Sequence, residues 1–380
     1  MALRTRICEL FGIEHPIVLA GMGGASTPEL VAAVSNAGGL GVLGAASCGP
    51  RQLRAWIEET RQLTDRPFGV DTLLPASVRR RAYERSGGRP PQERMPEWQR
   101  FAREFMEREG LELPPMDELL RDAGLDARDR DGPPVFTPEF FEAQMEVVIE
   151  ERVPVYAAGL GNPGPWIERL HRNGTRVISV VGTVRHARQV AEAGVDVIVA
   201  QGHDGGGHNA PIGTLALIPQ VVDAAGGIPV LGAGGIADGR GVAAALTLGA
   251  EGAWVGSAFL ATPEAGIREF QKKVLVEARE EDTVVSRAVT GKPARLVRNR
   301  WCEAVAESGL EPLPMPFQPM VAMPVLAAAH RAERGDVAPG FAGQGIGMIQ
   351  DIHPAAEVLL ALVRGAEQAL HGAARFVVPD

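Results

Sequence analysis

Apolar residues in this chain fall into short continuous runs, and the stretches between them carry helical spacing. The runs at 16–20, 40–43, 68–74, 153–157, 176–181, 195–200, 228–231 and 252–255 are of strand length. They lack the alternation of a sheet with one wet face, so they predict parallel strands covered on both sides. Between them, helices are expected at 50–63, 139–150, 165–172, 184–193, 215–225 and 238–248. A further helix opens with Thr27 at the N-cap position, Pro28 at the first helical position and Glu29 in the first turn. Another is expected after Pro263. Eight strands, each followed by a helix, predict a (β/α)8 TIM barrel. An open doubly wound sheet is the alternative. Glycine-rich loops recur after several strands rather than after the first alone, which favours the barrel.

Two stretches break the rhythm. Residues 76–137 are charge-dense and proline-rich, with Trp98, Phe101 and Phe105 at i, i+3, i+7 and a shorter stripe of Met116, Leu119 and Leu120. A structureless loop of that length is improbable in a compact domain. A helical insertion after the third strand is expected instead, serving as a lid over a site or as a contact excursion. From 281 to 380 strand alternation is not evident. That tail holds the tight loop Gly343-Gln344-Gly345-Ile346-Gly347 and, from Pro354, a helix with Val358, Leu359, Leu362 and Val363 on one side. It is expected to pack back on a barrel made of 1–75 and 138–280.

Composition narrows the classes. Of 380 residues 45% are hydrophobic and 22% charged, enough for a large core, and the net charge of −9 argues against nucleic-acid and polybasic membrane surfaces. The basic stretches at 79–81 and 295–300 sit among acids and read as solvated faces. Cys8, Cys48 and Cys302 are too few and too scattered for a disulfide framework or a CxxC metal site, and read as packed, reduced thiols. No apolar run approaches the roughly 18 residues of a membrane span, and the N-terminal stretch lacks the apolar core of a signal peptide. A cytoplasmic location is expected.

Candidate chemistry concentrates after the strand at 195–200, in Gln201-Gly202-His203-Asp204-Gly205-Gly206-Gly207-His208. Consecutive glycines cost backbone entropy, so they belong where the chain turns tightly or lies against a ligand. A plain glycine loop with surface histidines is the bland alternative. His208 is the candidate acid/base, since an imidazole exchanges protons near neutrality. His15, His171, His186, His330, His353 and His371 read as surface or packing residues. His203, Asp204 and His208 match no standard metal spacing, and no metal is expected. Gly234-Gly235 before a helix, and Gly256-Ser257, follow the last two strands, where barrels commonly hold phosphate on backbone N–H groups. Two tight βα turns would be the structural alternative. Gly232-x-Gly234-Gly235 lacks the dinucleotide spacing. Gly21-Met22-Gly23-Gly24 after the first strand would let a flat ligand approach the backbone. No nucleophile elbow, P-loop or paired-carboxylate signature stands out, so a bound cofactor is expected to carry the chemistry.

Taken together, these residues resemble the nitronate monooxygenase (2-nitropropane dioxygenase-like) family, itself similar to the flavin-type enoyl-acyl-carrier-protein reductases. The matching pieces are Pro16-Ile17-Val18 through Gly23, Asn36-Ala37-Gly38-Gly39-Leu40-Gly41, Pro67-Phe68-Gly69-Val70, and Gln201-Gly202 through Gly206-Gly207-His208. Pro229 through Ile236, Gly256-Ser257 and Ala342-Gly343-Gln344 complete them, in order over most of the chain. The resemblance implies a barrel binding FMN at its C-terminal face. Gly234, Gly235, Gly256 and Ser257 would hold the phosphate, and Gly21, Met22 and Gly23 would lie along the isoalloxazine. Gln201, Gly206, Gly207, Asp71 and Gln344 would be nearby, and His208 matches the family's active-site histidine. Three features depart from the pattern. The family's asparagine after the Phe-x-Val strand is Asp71 here, exchanging an amide donor for a carboxylate. Its Glu-Ala before the paired glycines is Asp204-Gly205, and the insertion is longer. The implied activity is FMN-dependent oxidation of alkyl nitronates with O2. The alternative is an NAD(P)H-dependent FMN reductase acting on an enoyl, quinone or acyl-CoA-like substrate; a non-catalytic flavin- or phosphate-binding barrel is a third. The expected partners are a small-molecule substrate and O2 or NAD(P)H, without nucleic acid or membrane, and a homo-oligomer is compatible with the sequence.

Overall fold

All eight apolar runs are strands of one parallel sheet in the computed structural model, which describes residues 3–74, 89–115 and 132–376. In chain order they are β1 (Ile17–Leu19), β2 (Gly41–Gly44), β3 (Phe68–Leu73), β4 (Val155–Leu160), β5 (Arg176–Val181) and β6 (Val197–Gln201). A two-residue strand, β7 (Gly207–His208), stands outside the sheet, and β8 (Val230–Ala233) and β9 (Ala253–Val255) complete it. The order is β1-β9-β8-β6-β5-β4-β3-β2. First and last strands are thus neighbours, and Leu40 closes the ring: Leu19 N donates to Leu40 O (2.9 Å) and Leu40 N to Ile17 O (3.0 Å). This is the barrel, not the open sheet. Three strands start about two residues later than the apolar runs do. Val153 and Val195 explain part of the offset, because they are buried before strand pairing begins.

Both faces of the strands are covered. Val18, Val42, Ala157, Ile178, Val199, Leu231 and Trp254 fill the interior together with Ile7, Cys8 and Phe11 of a short helix, Arg6–Phe11. That helix, which the periodicity did not predict, sits at the N-terminal ends of the strands: Thr5 Oγ1 donates to Glu251 O (2.5 Å) and Arg6 Nη1 to Gly227 O (3.2 Å). One end of the barrel is therefore plugged, leaving the C-terminal end for a site.

Helices Pro28–Asn36, Pro50–Leu63, Pro138–Glu150, Gly164–Arg172, Val184–Ala193, Thr214–Ala224 and Gly239–Thr247 follow the first seven barrel strands. Thr27 holds the N-cap position of the first, although its hydroxyl accepts no backbone N–H there. The helix expected after Pro263 does not take the eighth place; the chain there makes Ser257–Leu260 and then Glu269–Glu277. The C-terminal helix Ala355–Ala373 fills it instead, between Gly239–Thr247 and Pro28–Asn36. Ala355, Leu359, Leu362 and Ala366, at spacings of four, three and four, point into the barrel's outer core. Gly239 permits the close crossing, since a side chain there would overlap the backbone of Gly365 and Ala366.

The tail does contain strands. β10 (Thr283–Ser286) and β11 (Ala294–Val297) form a hairpin, and β11 pairs antiparallel with β7. Segments of four, four and two residues are too short for a period-two signal. The insertion's first helix, Pro91–Glu109, packs Trp98 and Phe105 into a second core with Trp301, Leu313, Val321 and Val325 of the tail. Its buried Glu109 pairs with Arg300 (2.9 Å) and Arg334 (3.2 Å). The second stripe, Met116, Leu119 and Leu120, lies outside the described residues. The three cysteines are free and buried. Among the described residues no helix is long and apolar enough to cross a membrane.

Leu359 is fully buried and lies against Gly39, so Leu359→Ala should cost about 2–5 kcal/mol in equilibrium urea unfolding. Leu215→Ala, at a side chain 72% exposed, should stay within about 0.5 kcal/mol.

Candidate active site

At the open end, the loop after β1 is held by a buried serine. Ser26 Oγ accepts from Met22 N (3.1 Å) and donates to Ala20 O (2.8 Å), while Ser26 N donates to Met22 O (2.9 Å). Met22 backbone passes so close to β2 that any side chain at Gly44 would overlap it. A side chain at Gly256, after β9, would come 3.3 Å from Met22 Sδ, so the thioether lies between the first and last loops.

Asp71 stands at the centre of this rim. Its carboxyl occupies the space that side chains at Gly21 and Gly159 would need, and Gly159 N donates to its Oδ1 (2.9 Å). It is 8% exposed and has no basic partner among the described residues. Burial therefore raises its proton affinity well above the usual carboxylate range, against a smaller opposing effect of the Gly159 N–H. Below it, the Tyr156 hydroxyl and Thr72 Oγ1 are 2.9 Å apart in the core. Where burial keeps the Asp71 carboxyl protonated, it carries a donor as an amide does.

His208 is not on a free loop. As half of β7 it faces Ala294 of β11, and its carbonyl accepts from Gln201 Nε2 (2.8 Å). Its Nε2 lies 2.9 Å from Thr290 Oγ1, in the turn between β10 and β11. Thr290 Oγ1 donates to Lys292 O (3.2 Å) and accepts from Lys292 N (3.3 Å). With its one proton so used, Thr290 accepts from Nε2–H, which assigns the lone pair to Nδ1. Burial, aided by the Lys292 charge, pushes the imidazole down to about 4. It is a neutral base at pH 7.

The other loop residues divide by role. His203 serves structure: Nδ1 lies 3.0 Å from Ala210 O, and its carbonyl accepts from Asn209 and Arg295. Asp204 Oδ2 accepts from Thr214 N (3.0 Å), and its carbonyl accepts from Gln344 N (2.9 Å). Gly206 backs onto Ala342 and Gly343, where a side chain would come within 2.8 Å of their backbone. Gln344 reaches the site through its main chain, with its side chain exposed.

Gly234, Gly235, Gly256 and Ser257 leave the neighbouring strands β8 and β9 at the same end. Among the described residues, the N–H groups of Gly235, Gly256 and Ser257 donate to no protein acceptor, while that of Gly234 belongs to the β8–β9 ladder. The N-terminus of Gly239–Thr247 is not the donor expected from the sequence, since Asp238 Oδ1 accepts from Arg240 N (2.9 Å) and Gly241 N (3.3 Å). The unpaired amides are those of the loops themselves, and a cluster of them suits an anion without lysine or arginine. A 3₁₀ turn, Gln344–Met348, lies against both loops, with Gly343 N donating to Ser257 Oγ (2.9 Å). That leaves the Ser257 proton free to donate. Gly159, Thr290 and Lys292 were missed from the sequence. The Thr290-Gly291-Lys292 turn was the one local signal, legible only once the hairpin is placed.

A family model described as nitronate monooxygenase matches residues 4–365. The chain is 38% identical over 373 residues to a Mycobacterium tuberculosis protein named as a monooxygenase, spanning 95% of this chain and 96% of that one. It is 32% identical over 376 residues to Staphylococcus aureus proteins named as nitronate monooxygenase, with 96% and 98% covered. Among solved structures it is similar to nitroalkane oxidase from Streptomyces ansochromogenes, at 31% identity and TM-score 0.79, covering 96% and 99%. It is similar also to FabK from Thermotoga maritima, at 33% and 0.75, covering 98% and 99%.

Asp71 yields a pH prediction. Its folded proton affinity is raised, so its contribution to stability is complete below the unfolded value near 4 and is lost as pH rises toward the folded value. The stability of wild type relative to Asp71→Asn should fall with rising pH from about 4, by up to about 1.4 kcal/mol per unit. Urea unfolding of both proteins between pH 4 and 8 measures this, and a wild type that gains stability relative to Asp71→Asn as pH rises would contradict the assignment.

Proposed function

The chain belongs to the nitronate monooxygenase family and is an oxidoreductase, and from that premise we propose that it binds FMN across the barrel's open end and oxidises alkyl nitronates with O2. The observation that carries this reading is a neutral His208, held through Nε2 by Thr290 with Nδ1 left as a base, at the same end as the unpaired loop N–H groups of Gly235, Gly256 and Ser257. FMN, when bound, supplies a two-electron acceptor that O2 reoxidises.

The residues present fit that group. Gly235, Gly256 and Ser257 would take its phosphate on backbone N–H groups, with Gly234 beside them. Gly21, Met22 and Gly23 would lie along the ring, and Asp71, its proton affinity raised by burial, would face it at the rim. Gln201 acts through His208, fixing the carbonyl of the residue whose ring does the chemistry. His208 Nδ1 would take the proton from the carbon next to nitrogen when a neutral nitroalkane enters, forming the nitronate in the site; a nitronate that enters already ionised needs no such step. An imidazole that stays neutral down to about pH 4 is available for this throughout the physiological range. The three free, buried thiols support a cytoplasmic setting.

The likeness to FabK supports a second reading, a pyridine-nucleotide-dependent reductase. An anaerobic titration separates the two. Bleaching of the yellow protein by a nitronate alone supports the oxidase reading; bleaching by NADH or NADPH alone replaces it with the reductase. A protein that takes up no FMN sinks both. His208→Ala should keep FMN and lose at least about 100-fold in kcat. The pH profile of kcat/KM should show no enzyme inflection near 6.5, and the loss of the base form should appear only toward pH 4.

A further inference from the structure

Among the described residues, the buried cations Lys272 and Arg295 and the half-buried Arg287 are committed. Lys272, 3% exposed, holds Glu269 (2.8 Å) and Pro263 O (3.2 Å). Arg295 is bound to His203 O and Thr283 Oγ1. Arg287 is bound to Gly291 O (3.0 Å) and reaches Glu311 at 3.6 Å. Lys292 is the exception. Its side chain is half-buried, and among the described residues no carboxylate or carbonyl accepts from its ammonium. In a chain with 47 acidic and 38 basic residues, partners were plentiful. Burying a charge without one works against folding.

Its position is also specified. Thr290 bonds both to Lys292's own backbone and to the His208 ring. Asn209 N donates to Pro293 O (3.4 Å), Gly291 N donates to Arg287 O (2.9 Å), and β11 pairs with β7 one residue later. The turn is thus stitched to the segment carrying the candidate base. The ammonium acts on that ring, making it harder to protonate, and burial in turn disfavours the ammonium. A negative charge arriving beside them offsets both the burial of the ammonium and its effect on the ring.

We infer that Lys292 is the anion seat of the site, binding the oxygens of a small planar oxyanion (a nitronate, or a carboxylate as its unreactive mimic) so that the adjacent carbon is presented to His208. The inference rests on the reading that chemistry occurs at His208. It makes the ionised form the species the site holds, whether it arrives as the nitronate or is formed there when His208 takes the proton of a nitroalkane.

The test uses the purified full chain with butyrate as an unreactive probe, followed through the His208 imidazole signals by NMR. Butyrate should shift those signals saturably in wild type. Lys292→Met should weaken that binding about 10- to 100-fold, the size of one charge-assisted hydrogen bond, and should raise the His208 pKa. Lys292→Arg should retain most of the binding and report that the turn is intact. In turnover, Lys292→Met should raise KM for the nitronate by a similar factor and change kcat less. Unchanged butyrate binding in Lys292→Met would overturn the inference. So would a variant that loses NADPH affinity while keeping that for butyrate, which would make the lysine a nucleotide-phosphate contact. The butyrate arm needs no turnover, so absence of nitronate oxidation would count against the proposed reaction and leave the anion seat standing.

Discussion

The antiparallel pairing of Gly207 and His208 with Ala294 and Arg295 is the contact on which the candidate site depends. It takes a segment leaving a barrel strand and fixes it to a hairpin almost ninety residues later. Thr290, on the turn of that hairpin, then reaches the imidazole, and Lys292 comes with it. Gln201 holds the same segment from the barrel side. Without the pairing, the Gly205-Gly206-Gly207 run would be a loop with many accessible conformations. With it, one ring is held in one orientation and one tautomer is preferred.

The second constraint is crowding by backbone. Gly21 and Gly159 leave the space that the Asp71 carboxyl fills, Gly44 lets Met22 pass, and Gly206 lets Ala342 and Gly343 close over the loop. The electrostatic consequence is specific. Asp71 is driven toward its neutral form by burial, and His208 is neutral for the same reason. Lys292 adds an ammonium there, beside loop amides that carry partial positive charge, while Asp204 and Arg295 of the same region are held by Thr214 N and His203 O.

The tail is part of the barrel fold as much as of the site. Its last helix occupies the eighth position of the helical ring, its hairpin pairs with the segment after β6, and the 3₁₀ turn at Gln344–Met348 lies on the loops after β8 and β9. The insertion helix in turn spends its aromatic face on Trp301 and the helices of the tail. Barrel, insertion and tail are joined by buried apolar contacts and by Glu109 with its two arginines.

The barrel was legible in the sequence because its signal is local. A strand covered on both faces is an unbroken apolar run, and a helix on a barrel repeats its apolar face every three to four residues. The glycine runs and His208 stood out in the sequence too, though tight turns alone could account for glycines such as Gly207, Gly234 and Gly235, which have positive φ. Other features depended on distance. The terminal helix and the one expected after Pro263 are both amphipathic, and only packing decides which fills the eighth place. Only the turn Thr290-Gly291-Lys292 marks these two locally, and it says nothing of their role, which comes from a residue some eighty positions away. Likewise Asp71 is an ordinary acid in the sequence, and its protonation is set by the desolvation that Gly21, Gly159 and the surrounding core impose. Patterning of one chain segment determines which elements form, because that is a matter of neighbouring residues. Which groups meet, and what charge they carry there, is decided only when the elements pack and water is excluded.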